Sequence, residues 1–197
     1  MRFIGFYDYT VILTYLSMVS AMAGMVLSQQ GRFTAAILCL MLCGICDAFD
    51  GIVARSKKNR TEDEKNFGIQ IDSLVDVIAF GVFPAMLCRS MGLHGVLGSV
   101  ICSFYVLCAV SRLGFFNVLE QKRQKTEGGS NTHYRGLPVT SVAMLLPPFY
   151  LLRFCLKAHI FAWALHILLL VIALLFILDF SVKKINWMKI ITFNRKK

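Results

Sequence analysis

Charge is scarce in this chain: only 16% of its 197 residues are Asp, Glu, Lys or Arg, against 57% hydrophobic residues and a mean hydropathy of +0.65. That composition excludes an ordinary soluble domain and predicts an integral membrane protein. A long linker, an internal repeat and a separate soluble region are also missing, which leaves one membrane domain over residues 1–197. The four histidines, His94, His133, His159 and His166, lack ligand spacing, and Cys43-x-x-Cys46 has no second cysteine or histidine pair to complete a zinc or redox site. Most of the seven cysteines fall in apolar runs. Cys39, Cys43, Cys46 and Asp50 lie near one helical stripe, a pattern that favours close helix packing. Acids are rarer than bases, 11 against 21, so an acid inside an apolar run needs a reason. Met1–Asp8 lacks the small-residue cleavage pattern of a removed signal and is expected to stay on the chain.

What is present is a set of apolar runs, each near the roughly 20 residues that cross the hydrocarbon core as helix. They predict an all-α integral membrane fold, a six-transmembrane-helix bundle with spans at Tyr9–Ser28, Phe33–Arg55, Gly68–Arg89, Leu93–Phe116, Val139–Leu156 and His159–Ser181. Both termini and the polar connections Ser56–Phe67 and Asn117–Arg135 then share one face. Sixteen of the 21 basic residues fall on that face and four on the other, with Arg112 inside the fourth span. The positive-inside rule makes the first face cytoplasmic and the chain a multi-pass protein of the cell membrane. The net charge of +10 is expected to meet anionic lipid headgroups, not nucleic acid, because no groove-reading module accompanies it. Lys183–Lys197, with Trp187 and Phe193 among its cations, reads either as an interfacial segment or as a plain charged flank. Asp179 is expected to pair with Lys183 one helical turn on, or to meet water.

Four acids carry the chemistry. Asp47 and Asp50 are three residues apart and Asp72 and Asp76 four, so on helices each pair shares a face. An ionised aspartate at the centre of a membrane helix costs on the order of 3 kcal/mol, so four need a counter-charge. Arg55 and Arg112 are too few to neutralise them as buried salt bridges. Oxygen ligands without histidine or thiolate point to Mg²⁺ or Mn²⁺, and two such ions held by four aspartates can clamp a pyrophosphate. Gly51 and Ala54 share the Asp47–Asp50 face and leave room for a ligand, while Arg55 offers a fork of donors suited to phosphate.

The string Asp47-x2-Asp50-Gly51-x2-Ala54-Arg55, followed by Gly68-x3-Asp72-x3-Asp76, resembles the signature of the CDP-alcohol phosphotransferase family, with every fixed position present. The twelve residues Ser56–Phe67 make a longer spacer than the family pattern has, and being polar they are expected to lengthen the cytoplasmic loop. The resemblance implies a six-helix, homodimeric membrane enzyme that transfers a phosphatidyl group from a CDP-linked lipid to an alcohol and releases CMP. It implies that Asp47, Asp50, Asp72 and Asp76 bind two metal ions, Mg²⁺ or Mn²⁺, and that Gly51 and Arg55 contact the CDP moiety. It also makes Asp76 the catalytic base. Thr10 and Thr14, at the cytoplasmic end of the first span, are candidates for contact with the cytidine.

Three further segments bear on the acceptor: Asp72–Pro84, Ser111–Asn117 and Tyr134–Ser141. Together they look like the branch of the family that joins CDP-diacylglycerol to L-serine, and the likeness fades over the last span. Serine brings a carboxylate and an ammonium besides its hydroxyl. Arg112, Asn117 and Arg135 are the candidate acceptor or phosphate ligands, although Arg112 could also snorkel to headgroups. Two rivals stay open: the same chemistry on glycerol 3-phosphate or inositol, and a divalent-cation transporter. The transporter has no need of Gly51, Ala54 and Arg55 at fixed offsets.

Overall fold

The computed structural model describes residues 5–6, 9–56, 61–125 and 133–183; the side chains at 10, 54–56, 120–125, 133–135 and 181–183 fall outside that description. The expected interfacial segment therefore lies, beyond Lys183, outside the described residues. The elements are α1 (Ile12–Gln29), α2 (Phe33–Ser56), α3 (Glu62–Asp76), α4 (Phe83–Met91), α5 (Gly95–Lys125), β1 (His133–Arg135), α6 (Val142–Leu151), α7 (Ala158–Ile177) and β2 (Ser181–Lys183). A π-helical stretch, Val77–Val82, joins α3 to α4.

Five helical segments are long and apolar enough to cross a membrane: Ile12–Gln29, Phe33–Val53, Glu62–Met91, Gly95–Leu119 and Ala158–Ile177. The sixth expected span is shorter. Val139–Phe154 is apolar and helical, but at 1.5 Å per residue it reaches about 24 Å against the roughly 30 Å of a hydrocarbon core.

Two helices extend beyond the expected spans. α3 begins at Glu62 instead of Gly68 because Thr61 and Glu64 form a capping box: the Glu64 amide donates to Thr61 Oγ1 at 3.2 Å and the Thr61 amide to Glu64 Oε2 at 2.9 Å. Half of the expected loop is thus helix. α5 runs on past Phe116 to Lys125 because the residues there are good helix formers, with neither glycine nor proline until Gly128.

α1 packs most extensively on α2, and α5 on α7, while α4 lies against α1 and α6 against α2. The α1–α2 seam is made of small and weakly polar groups. Ser20 Oγ donates to the Cys39 carbonyl at 3.0 Å and Cys43 Sγ to the Ser17 carbonyl at 3.3 Å, so this cysteine stripe serves helix contact. All seven cysteines are free thiols. Outward faces carry large apolar side chains such as Val96, Leu107, Ile167 and Trp163, as lipid contact requires. His166 turns its Nδ1 to the Ala162 carbonyl, 2.7 Å away, within α7.

At Gly24 the α4 side chain Phe83 leans so close that a Cβ would overlap its ring. Gly24→Leu is therefore expected to cost about 1–3 kcal/mol by overpacking. The readout is a lower thermal midpoint of the detergent-solubilised protein; an unchanged midpoint would contradict this α1–α4 contact.

Candidate active site

The acids converge. Asp47 and Asp50, one turn apart on α2, face Asp72 of α3, and one carboxylate oxygen from each lies within 4.8 Å of the other two. Asp50 and Asp72 come within hydrogen-bonding reach of each other across the two helices. Asp76, one turn beyond Asp72, is 9% exposed and close enough to Asp47, Asp72 and Asp50 to feel the charge of each. The helical spacing read in the sequence thus becomes one acidic patch between α2 and α3.

This donor set fits a hard divalent cation. Octahedral Mg²⁺ holds its oxygens at about 2.1 Å, so neighbouring ligands stand roughly 3 Å apart and opposite ones roughly 4.2 Å, and the three carboxylates within 4.8 Å would draw together around such an ion. Neither histidine nor thiolate belongs to the cluster. Asp76 supplies a fourth carboxylate on the same face.

Directly after Asp76 the helix widens into the π-helical turn, whose Phe80 carbonyl accepts a 2.6 Å hydrogen bond from the hydroxyl of the fully buried Tyr105 on α5. π-turns recur at functional sites because they displace one side of a helix relative to the other. Here the turn ties the end of the acidic face to α5.

A cavity of about 660 Å³ opens beside the acids. Asp47, Asp72 and Asp76 form one wall; Arg112, Phe116 and Asn117 of α5 and Pro138–Thr140 ahead of α6 form the other. Asn117 is fixed from α3: Ser73 Oγ donates to its Oδ1 at 3.0 Å. Arg112 is 8% exposed, its Nε donating to the Leu137 carbonyl at 3.3 Å and its guanidinium 5.7 Å from the Phe116 ring centre. Arg112 does not snorkel freely; it is held at the cavity wall.

Thr14 is buried on α1, and neither it nor Gly51 lines this cavity. The side chains of Arg55, Arg135 and Thr10 lie outside the described residues, so the expected phosphate and cytidine contacts rest on their places in the sequence. Ser73, Phe116 and Thr140 lie in the segments that the sequence ties to the acceptor, but serine, phenylalanine and threonine carry no charge signal to single them out, and only the fold turns them toward the cavity.

Residues 9–178 match the family model for CDP-alcohol phosphatidyltransferase. The chain belongs to that family. Among CDP-alcohol phosphatidyltransferases it is similar to the archaetidylserine synthase of Methanothermobacter thermautotrophicus, at 38% identity over 143 residues, covering 71% of this chain and 57% of that protein. It is also similar to the CDP-diacylglycerol–serine O-phosphatidyltransferase of Saccharomyces cerevisiae, at 37% identity over 116 residues, covering 57% of this chain and 41% of the relative. The protein of the same name from Bacillus subtilis is 32% identical over 114 residues, covering 57% of this chain and 58% of the relative. The chain thus spans about half the length of the curated relatives it matches. The family match takes in α1 to α7, so all four acids, the cavity and the extended α3 lie inside the matched region.

Proposed function

We propose that this chain transfers the phosphatidyl group of CDP-diacylglycerol to the hydroxyl of L-serine, forming phosphatidylserine and CMP. The observation that carries this reading is the convergence of the α2 and α3 acids on one wall of a cavity whose other wall holds a fixed arginine. The names of the relatives above support serine as the acceptor.

In this reaction the serine oxygen bonds to the phosphorus nearest the diacylglycerol, and the bond from that phosphorus to the oxygen leaving with CMP breaks. Asp47, Asp50, Asp72 and Asp76 would hold two divalent ions, which when bound supply the positive charge that a pyrophosphate under attack requires. Asp76 accepts the hydroxyl proton, and its place as the last acid before the π-turn puts it on the cavity wall. Gly51 and Arg55 serve the CDP moiety, the glycine by leaving room and the arginine by donating to phosphate. Arg112 takes the serine carboxylate, and Asn117, locked by Ser73, orients the acceptor. An acceptor carrying phosphate would call for more positive charge; among the described residues Arg112 is the single cation lining the cavity.

The same reading makes Val139–Phe154 a sixth, thin crossing, its shortness matched by local thinning of the bilayer. Both termini and the acids then face the cytoplasm, in accord with the excess of basic residues on that side. A cytosolic alcohol reaches the cavity from there while the acyl chains stay in lipid.

The test is to incubate the purified chain with CDP-diacylglycerol, Mn²⁺ and labelled serine. Labelled phosphatidylserine and CMP are expected in equal amounts. Turnover with glycerol 3-phosphate alone would refute the serine assignment and leave the family and its acids standing.

A further inference from the structure

The cavity wall that carries Arg112 is strapped to the end of the last membrane span, where the sequence likeness to the serine-using branch fades. α7 ends at Ile177 and the chain turns extended at Leu178, so the helix that would set Asp179 one turn from Lys183 stops before both; Asp179 is exposed, and the Lys183 side chain lies outside the described residues. Ser181–Lys183 instead pairs antiparallel with His133–Arg135, with Arg135 opposite Ser181. Next to that ribbon the Gly136 amide donates to the Phe180 carbonyl at 2.7 Å and the Leu137 amide to the Leu175 carbonyl at 3.4 Å. Gly136 has φ +73°, and a Cβ there would stand 3.0 Å from the Leu178 carbonyl oxygen and 3.5 Å from Arg112 Nε. Only a glycine lets the three segments meet so closely.

The strap delivers two groups to Arg112. One is the Leu137 carbonyl, which accepts from Nε. The other is Asp179, whose carboxylate acts electrostatically on the guanidinium. With the Phe116 ring beside it, the guanidinium has neighbours from α5, from the turn ahead of α6 and from the end of α7.

We propose that Asp179 is a positioning residue, which together with the Gly136–Leu137 turn aims Arg112 into the cavity and so sets the preference for an acceptor bearing a carboxylate. This rests on the reading of Arg112 as the serine-carboxylate ligand. A guanidinium held on one edge by a carbonyl and an acid keeps its remaining donors pointed one way, whereas an unheld side chain samples many rotamers. Asp179 is itself exposed and does not line the cavity. Its effect runs through Arg112.

The test compares serine with ethanolamine, which is serine without its carboxylate, in the full-length protein. Wild type should favour serine strongly. Asp179→Asn is expected to raise the KM for serine about tenfold, the worth of one charge-assisted contact, with the KM for CDP-diacylglycerol and the rate on ethanolamine little changed. Asp179→Glu should recover most of the preference. Equal losses on both acceptors would make Asp179 merely structural, and a lower KM for serine would mean that it damps the charge of Arg112 instead of aiming it; either overturns the proposal. If wild type shows no preference for serine over ethanolamine, the reading of Arg112 as carboxylate ligand fails, which is a separate result. A second measurement needs no acceptor: modification of Arg112 by phenylglyoxal, mapped by peptide mass spectrometry, should quicken several-fold in Asp179→Asn, and an unchanged rate also sinks the proposal.

Discussion

Asp76→Asn is expected to lower turnover by about 10²–10⁴, the usual worth of a positioned general base, while the KM for CDP-diacylglycerol stays nearly constant. Asparagine keeps the size and one oxygen of the side chain, so the packing around this buried position survives. What it cannot do is accept the hydroxyl proton. The amide also removes one negative charge from a patch where Asp76 feels Asp47, Asp72 and Asp50, so the variant should fold at least as well as wild type without metal. Steady-state CMP release at several serine concentrations separates the cases. A variant with unchanged kcat and a raised KM for CDP-diacylglycerol would make Asp76 a binding group instead of the base.

Asp72→Asn carries the other large effect. Asp72 is the α3 member of the three-acid cluster, facing both Asp47 and Asp50, so its loss removes the α3 ligand of that cluster. Transfer should fall by on the order of 10³, because several kcal/mol of charge stabilisation at the reacting phosphates goes with it. EDTA should have the same effect on wild type, reversed by Mg²⁺ or Mn²⁺. Stability should move the opposite way: three like charges within 4.8 Å repel, so metal-free Asp72→Asn should unfold at the same or a higher temperature than metal-free wild type. Phosphatidyl transfer that persists at full rate in EDTA would contradict the metal assignment.

The sequence disclosed the parts of this molecule that depend on local periodicity. Apolar runs located five spans because membrane crossing is a matter of length and hydropathy, and the spacing of Asp47, Asp50, Asp72 and Asp76 located the acidic patch because helical geometry fixes which residues share a face. The early start of α3 was also legible, in Thr61-x-x-Glu64, but a run of charge there reads first as loop. The extension of α5 to Lys125 hides in the same way, since its polar residues form helix without any apolar stripe. Features set by distant partners were not legible. The π-turn after Asp76 is bonded to Tyr105, 25 residues on from Phe80, and Asn117 is bonded to Ser73, 44 residues away. The end of α7 was hidden for the same reason: an i+4 spacing of Asp179 and Lys183 presupposes that the helix continues, and α7 stops at Ile177 where the chain turns into the ribbon with His133–Arg135.

The central claim is that α2 and α3 present their carboxylates to shared divalent ions. Electron paramagnetic resonance of Mn²⁺ titrated into the purified chain reads this without any turnover. Wild type should bind Mn²⁺ with loss of the free-ion signal, and Asp50→Asn on α2 and Asp72→Asn on α3 should each weaken that binding severely, since each removes a ligand from the same cluster. Unaltered Mn²⁺ affinity in both variants would contradict the account.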